Sequence, residues 1–134
     1  SKFKSLNQVL VDQFNQIIVL GDTHANGQYT LGDNSAEQGG LRVAYTAFKK
    51  TEQGKTDTKI DGFTPDQRFY LAYANVWAAN ITDQEILRRT KMDVHSLGKW
   101  RVNGSLKNID TFYKAFDITK GKMFLEPEKR VIIW

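Results

Sequence analysis

Two carboxylates, Asp33 and Glu37, stand four residues apart in the run Gly32-Asp33-Asn34-Ser35-Ala36-Glu37-Gln38-Gly39-Gly40. On a helix that spacing puts both on one face, a turn from each other. Two acids so placed can divide labour at a metal: one ligates the ion, the other accepts the ring N–H of a ligating His. The same residues have a plainer use, because Asn34 and Glu37 also fit a capping box, with Asp33 merely favourable at a helix N-terminus. A second group, Asp93, His95 and Arg101, lies in the run Met92 to Gly104. A His there can donate to an oxyanion, and the Asp can hold its tautomer or keep it protonated. The Arg can clamp a carbonyl or carboxylate through its planar fork. The plainer reading of this group is a solvated loop His. His24 has no carboxylate at ligand spacing and reads as a loop residue. Val76 and Trp77 suit either an apolar pocket wall or ordinary core.

These groups must be positioned by helices. Phe3, Leu6, Leu10, Phe14 and Ile17 form one apolar stripe and predict a helix from Lys2 to about Ile18, followed by a loop over Val19 to Thr30. A second helix is expected from near Asp33 to about Lys50, with Leu41, Ala44, Tyr45 and Phe48 on its apolar face. Gly39 and Gly40 inside it cost about 1 kcal/mol each relative to Ala, which implies another backbone packed closely against them. The stretch from Thr51 to Gly62 is polar and linker-like. Thr64-Pro65-Asp66-Gln67 is a helix start with a capping box, and the helix is expected to reach about Ala79. Its wide apolar arc, from Phe69 and Tyr70 to Val76 and Trp77, predicts burial from two directions. Thr82-Asp83-Gln84-Glu85 opens a fourth helix, with Glu85 closing the box and Ile81 and Ile86 at the staple positions. The stretch from about Met92 to Lys107 shows no helical period. Ile109, Phe112, Tyr113 and Phe116 mark a fifth helix, and the apolar tail Val131-Ile132-Ile133-Trp134 is expected to dock on the body. The predicted fold class is all-α, mainly helical: roughly five helices with long loops, and room for one short strand near the C-terminus.

Composition bounds the alternatives. The chain of 134 residues is the size of one domain and is 40% hydrophobic, enough to form a core. It has no initiator Met, and Lys2 already lies in a helix-like pattern, so the N-terminus is expected to be a cut end. No run reaches the roughly 18 apolar residues of a membrane span, and there is no signal peptide or repeat. The net charge is +4, from 19 Lys and Arg against 15 Asp and Glu. The cations are scattered, densest only at Lys49–Lys50 and Arg88–Arg89, so no nucleic-acid partner is expected. Zero Cys excludes disulfides and thiolate metal sites.

Taken together, the two motifs resemble the C-terminal part of the neprilysin family of zinc metallopeptidases (the neprilysin, endothelin-converting enzyme and bacterial oligoendopeptidase O type). The family's helix motif LGENxADxGGL is similar to LGDNSAEQGGL at Leu31–Leu41, and its loop DxHSPGxFRxxG to DVHSLGKWRVNG at Asp93–Gly104. Phe63-Thr64-Pro65-Asp66-Gln67, Val76–Trp77 and the final Trp134 extend the likeness over nearly the whole chain. The resemblance implies a single segment, residues 1–134, of a zincin-type catalytic domain. It further implies one zinc ion in the full-length parent, bound by two His of an HExxH helix and by the carboxylate at position 33. Glu37 takes the place of the acid that supports a ligating His. His95 takes the place of the residue that stabilises the tetrahedral intermediate, with Asp93 orienting it. Arg101 takes that of the Arg binding a substrate carbonyl, and Val76 and Trp77 line the pocket after the cut bond. Members cut internal bonds of short peptides, often before bulky apolar residues.

Two departures qualify what the resemblance implies. No HExxH exists here, the only two His standing 71 positions apart, so it is expected in the missing N-terminal part of the same protein. Without it the piece alone is expected to hold no stable zinc and to be catalytically silent. The two acids are also exchanged in length, which leaves three readings: Asp33 still ligates, Glu37 substitutes for it, or the parent is a non-catalytic peptide-binding relative. The expected partners are a peptide substrate and the missing part, with no membrane contact from this segment. The lack of Cys sets the chain apart from the disulfide-rich animal members and points to a bacterial parent, while leaving the redox compartment open. A periplasmic or exported parent is expected, with a cytoplasmic one as the alternative.

Overall fold

The apolar stripe of the first segment folds as helix α1, Lys2–Asn15, which buries Leu10, Val11 and Phe14 in the computed structural model of residues 1–134. It stops sooner than the stripe predicts because Ile18–Leu20 leaves it as strand β1. This pairs antiparallel with β2, Thr23–His24, in the register Ile18 to His24 and Leu20 to Thr23. Gly21 turns the chain at φ +53°, a conformation that suits glycine. The short sheet therefore replaces the expected loop, and the C-terminal tail forms none.

Helix α2 spans Leu31–Phe48. It begins two residues before Asp33, after Thr30, and the capping box of Asn34 and Glu37 does not form. Asn34 is instead buried, with its Nδ2 donating to Thr30 Oγ1 at 2.9 Å. The polar stretch after α2 contains a one-turn helix, α3 (Glu52–Lys55), capped by Thr51. Helix α4, Pro65–Val76, has the expected box: Thr64 Oγ1 accepts from the Gln67 N–H and Gln67 Oε1 from the Thr64 N–H. Its apolar arc is covered on one side only. Tyr70 is buried, whereas Leu71 and Val76 stay exposed.

Helix α5, Asp83–Met92, is capped by Thr82, but Glu85 does not return the bond. Its carboxylate is drawn to Arg88 and Arg89 at 2.7–2.8 Å, and their hydrogen bonds hold it low, at about 2. The other dense basic point is engaged as well, since Lys49 pairs with Asp66 at 2.9 Å.

Helix α6, Gly98–Leu106, occupies a stretch where no period is legible. Packing dictates it. A Cβ on Gly98 would lie 2.8 Å from the carbonyl oxygen of Trp77, so only glycine admits this approach to the end of α4. Farther along, Val102, Ser105 and Leu106 are buried. Helix α7, Asp110–Phe116, is the last of seven α-helices, which one short sheet and a 3₁₀ turn at Pro127–Lys129 accompany. No helix is long and apolar enough to cross a membrane. The main core joins Leu41 of α2, Tyr70 of α4, Val102 and Leu106 of α6, and Ile109, Phe112 and Tyr113 around α7. A smaller cluster joins Leu10 and Phe14 to Val131 of the tail.

The tail docks through Val131, whose N–H donates to Asn108 Oδ1 at 2.8 Å, and through Trp134, whose Nε1 donates to the Ser35 carbonyl at 3.0 Å. The Trp134 indole explains Gly39, where a Cβ would meet it at 2.6 Å. The close neighbour is thus a ring, not a backbone, and Gly40 has nothing packed against it. In the full-length protein Gly39→Ala is expected to displace the indole and lower stability by about 1–3 kcal/mol, the range for overpacking. Thermal unfolding checks this, and an unchanged Tm would mean that the tail yields freely.

Candidate active site

The site is where α2, the end of α4 and the start of α6 meet. Asp33 and Glu37 project from one face of α2, as their spacing predicts, with side-chain exposures of only 7% and 12%. Both face Arg101, from the first turn of α6. Arg101 Nε and Nη2 donate to Glu37 Oε2 at 2.8 and 2.6 Å. Nη2 also lies 3.1 Å from Asp33 Oδ1. Two acids thus converge on one cation, which compensates for their removal from water.

Helix α4 holds the same guanidinium from another side. The Trp77 ring lies 3.8 Å from Arg101 Cζ, a cation–π contact. One turn earlier, the Tyr73 hydroxyl is 3.0 Å from Glu37 Oε1 and 2.9 Å from the Arg101 carbonyl oxygen. Burial first, then the charge of Glu37, pushes the Tyr73 hydroxyl well above the usual phenol range, so it remains a donor.

The loop between α5 and α6 brings in His95. Asp93 Oδ1 accepts both the His95 backbone N–H, at 2.9 Å, and Nδ1, at 2.7 Å. An ionised carboxylate only accepts, so Nδ1 carries the proton and Nε2 is the ring nitrogen without a partner. These bonds, the backbone one foremost, hold the Asp93 carboxyl below the usual range. Its grip on the loop is therefore full above the ordinary carboxylate pKa and is lost only as pH falls through the lowered value. The next residue ties the loop to α2: Ser96 N–H donates to Asp33 Oδ2 at 2.9 Å, and Ser96 Oγ to Asn34 Oδ1 at 2.6 Å.

A cavity of about 600 Å³ opens between α4, α5 and this loop, lined by Val76, Trp77, Ile81, Ile86, His95 and Arg101 among others. Arg101 also borders a shallower groove along α2 with Asp33, Glu37, Gly40 and Tyr73. All the residues read from sequence as site candidates are therefore brought together, with Arg101 at their centre. His24 stands apart, its Nδ1 at 2.8 Å from the Asn15 carbonyl. Tyr73 and Ser96 were not singled out by sequence; Tyr73 stands one helical turn before Trp77, a spacing that marks a shared face.

No three His, Cys, Asp or Glu side chains stand together in a metal cage. The donors present fit one corner of a zinc site, for which carboxylate oxygen is suitable. Glu37 accepts three hydrogen bonds over its two oxygens, whereas Asp33 accepts one at Oδ2 and meets Arg101 at Oδ1 only at the longest distance of the cluster. Asp33 is the acid better able to give an oxygen to a cation.

A family model described as peptidase family M13 matches residues 1–131. Human neprilysin is 35% identical over 140 aligned residues, covering 100% of this chain and 18% of its own length. The endothelin-converting enzyme homolog of Locusta migratoria is 35% identical over 135 residues, covering 98% and 18%. Among solved structures, the Mycobacterium tuberculosis zinc metalloprotease Zmp1 in complex with an inhibitor superposes with a TM-score of 0.93 at 34% identity, over 99% of this chain and 21% of that one. The chain thus spans about a fifth of the length of these relatives.

Proposed function

We propose that this chain, which belongs to peptidase family M13, supplies the substrate-facing side of the active site of a zinc-dependent endopeptidase acting on short peptides. The observation that carries the reading is Arg101, fixed by Asp33 and Glu37 and laid on Trp77 at the wall of a cavity that also holds His95.

Asp33 would hold the zinc together with His ligands from outside this chain, with Glu37 beside it. When bound, the ion supplies Lewis-acid polarisation and lowers the pKa of a water. The chain's own residues bind and orient. Arg101 Nη1, with no partner here, is the edge left to donate to a peptide carbonyl. His95 Nε2 can donate to an oxyanion only when the ring is doubly protonated, because Nδ1–H is spent on Asp93; the Asp93 carboxylate is then its counter-ion. Val76, Trp77, Ile81 and Ile86 offer an apolar wall for a bulky side chain after the cut bond. In this reading the 134-residue chain alone is inactive, and its parent is bacterial, as the Cys-free sequence suggests.

The test is hydrolysis of a short internally quenched peptide by the full-length protein, with cleavage expected before bulky apolar residues. A chelator is expected to abolish it and added zinc to restore it. A zinc-loaded protein that binds the peptide but never cuts it would instead be a non-catalytic peptide-binding relative.

A further inference from the structure

Tyr73 is a polar side chain of this constellation without a role in the reaction outlined above. Its ring is half-buried and packs against the main core, but its hydroxyl faces two acceptors, Glu37 Oε1 on α2 and the Arg101 carbonyl on α6. A phenol has one proton, so the two acceptors compete for it or share it. That single hydroxyl thereby links the three helices that build the site.

Glu37 and Arg101 meet over a sequence separation of 64 residues, and nothing local fixes their relative placement. Glu37 Oε2 takes Nε and Nη2 of the guanidinium together. With Oε2 so committed, the carboxylate can still swing about its last torsion, which is broad for Glu. The Tyr73 hydroxyl on Oε1 restrains that swing. Trp77, four residues on in the same helix, fixes the plane of the guanidinium from below. Helix α4 therefore sets both the plane and the in-plane rotation of Arg101, and so where its free Nη1 points.

We propose that Tyr73 is a positioning residue of the substrate site: its hydroxyl, bridging Glu37 and the Arg101 carbonyl, orients the Arg101 guanidinium toward a peptide carbonyl. This rests on the reading of Arg101 as the substrate clamp. It predicts that the hydroxyl matters to peptide affinity and not to metal content.

The decisive variant is Tyr73→Phe in the full-length protein, which keeps the ring in the core. Binding of a short apolar peptide to the chelator-treated protein is measured by titration calorimetry, alongside KM and kcat for hydrolysis, zinc content and Tm. The expected result is peptide affinity weakened about tenfold, the worth of a hydrogen bond to a charged group. KM should rise in step, with kcat within about twofold and zinc content unchanged. In an Arg101→Met background the same change is expected to have no further effect, since the two residues then act as one unit. Unaltered affinity in Tyr73→Phe, a lowered Tm with unaltered affinity, or a full additional loss in the Arg101→Met background would each overturn the proposal. If the wild type binds peptide without cutting it, the proposed activity fails and the affinities still decide the role of Tyr73. If it binds no peptide at all, both fall.

Discussion

Full-length protein carrying Asp33→Ala is expected to lose stoichiometric zinc, and its peptide hydrolysis is expected to fall by roughly a thousandfold or more, as when a group acting at the transition state is removed. On the proposed reading Asp33 rather than Glu37 carries this burden, for a geometric reason. Glu37 is the more heavily engaged acid, with Oε1 on Tyr73 and Oε2 on two nitrogens of Arg101. Asp33 is held at Oδ2 by the Ser96 N–H, which aims the carboxylate, while Oδ1 meets only the 3.1 Å contact with Arg101. That contact is the cheapest in the cluster to give up to a metal ion. The shorter arm of Asp matters, because a zinc–oxygen bond spans only about 2.0–2.2 Å. The missing methylene is comparable to the ~1.5 Å rise of one helical residue, so a small tilt of α2 makes it good. Glu37→Ala is accordingly expected to keep its zinc and to lose activity only about 10- to 100-fold, on the scale of groups that support a metal site from behind. Metal analysis of the two purified variants decides. If Asp33→Ala retains stoichiometric zinc while Glu37→Ala does not, Glu37 is the ligand and the exchange of lengths has exchanged the roles.

Much of this arrangement is legible along the chain, and what is not has a physical reason. Helices α1, α2, α4 and α7 follow from apolar spacing of three and four, and the box at Thr64 forms as its residue types require. Helix α6 leaves no such trace, because it is short, contains Gly98 and Gly104, and owes its course to contacts with residues far away in sequence. The β1–β2 hairpin is hidden for a related reason: Ile18-Val19-Leu20 continues the apolar stripe of α1, and only the turn at Gly21 separates the two. At the site, residue types and local spacing point to Asp33, Glu37, Asp93, His95 and Arg101. The local pair Asp93–His95 forms as its spacing suggests. The partner of Glu37 lies 64 residues away and belongs to no local pattern. Spacing alone favours a capping box for Glu37, and only the fold shows that the helix starts earlier and leaves this acid to Arg101. Tyr73 is missed because an aromatic on an apolar face reads as core; its ring is core, and only the hydroxyl is not.

Arg101→Met is expected to give the reverse of the Asp33→Ala pattern: zinc kept, substrate lost. Met preserves an apolar stem against Trp77 but removes the cation from two carboxylates that are 7% and 12% exposed. Losing a charged donor to the peptide carbonyl forfeits about 1.5–3 kcal/mol, so kcat/KM is expected to fall about 10- to 100-fold, mostly through KM. The same loss leaves Asp33 and Glu37 facing each other uncompensated, a destabilising state that any cation relieves. Zinc affinity is therefore expected to hold or to rise, and apo protein to suffer more in Tm than zinc-loaded protein, because ligand binding stabilises the state it binds. Arg101→Lys separates charge from shape. A single ammonium restores a positive charge but cannot bond Glu37 through two nitrogens, reach Asp33 and leave a free edge for a carbonyl at once. It is expected to recover most of the Tm and little of the kcat/KM. Kinetics, metal analysis and thermal unfolding on the same preparations check all three, and an unchanged kcat/KM in Arg101→Met would remove Arg101 from the substrate site, leaving it only as the counter-ion of α2.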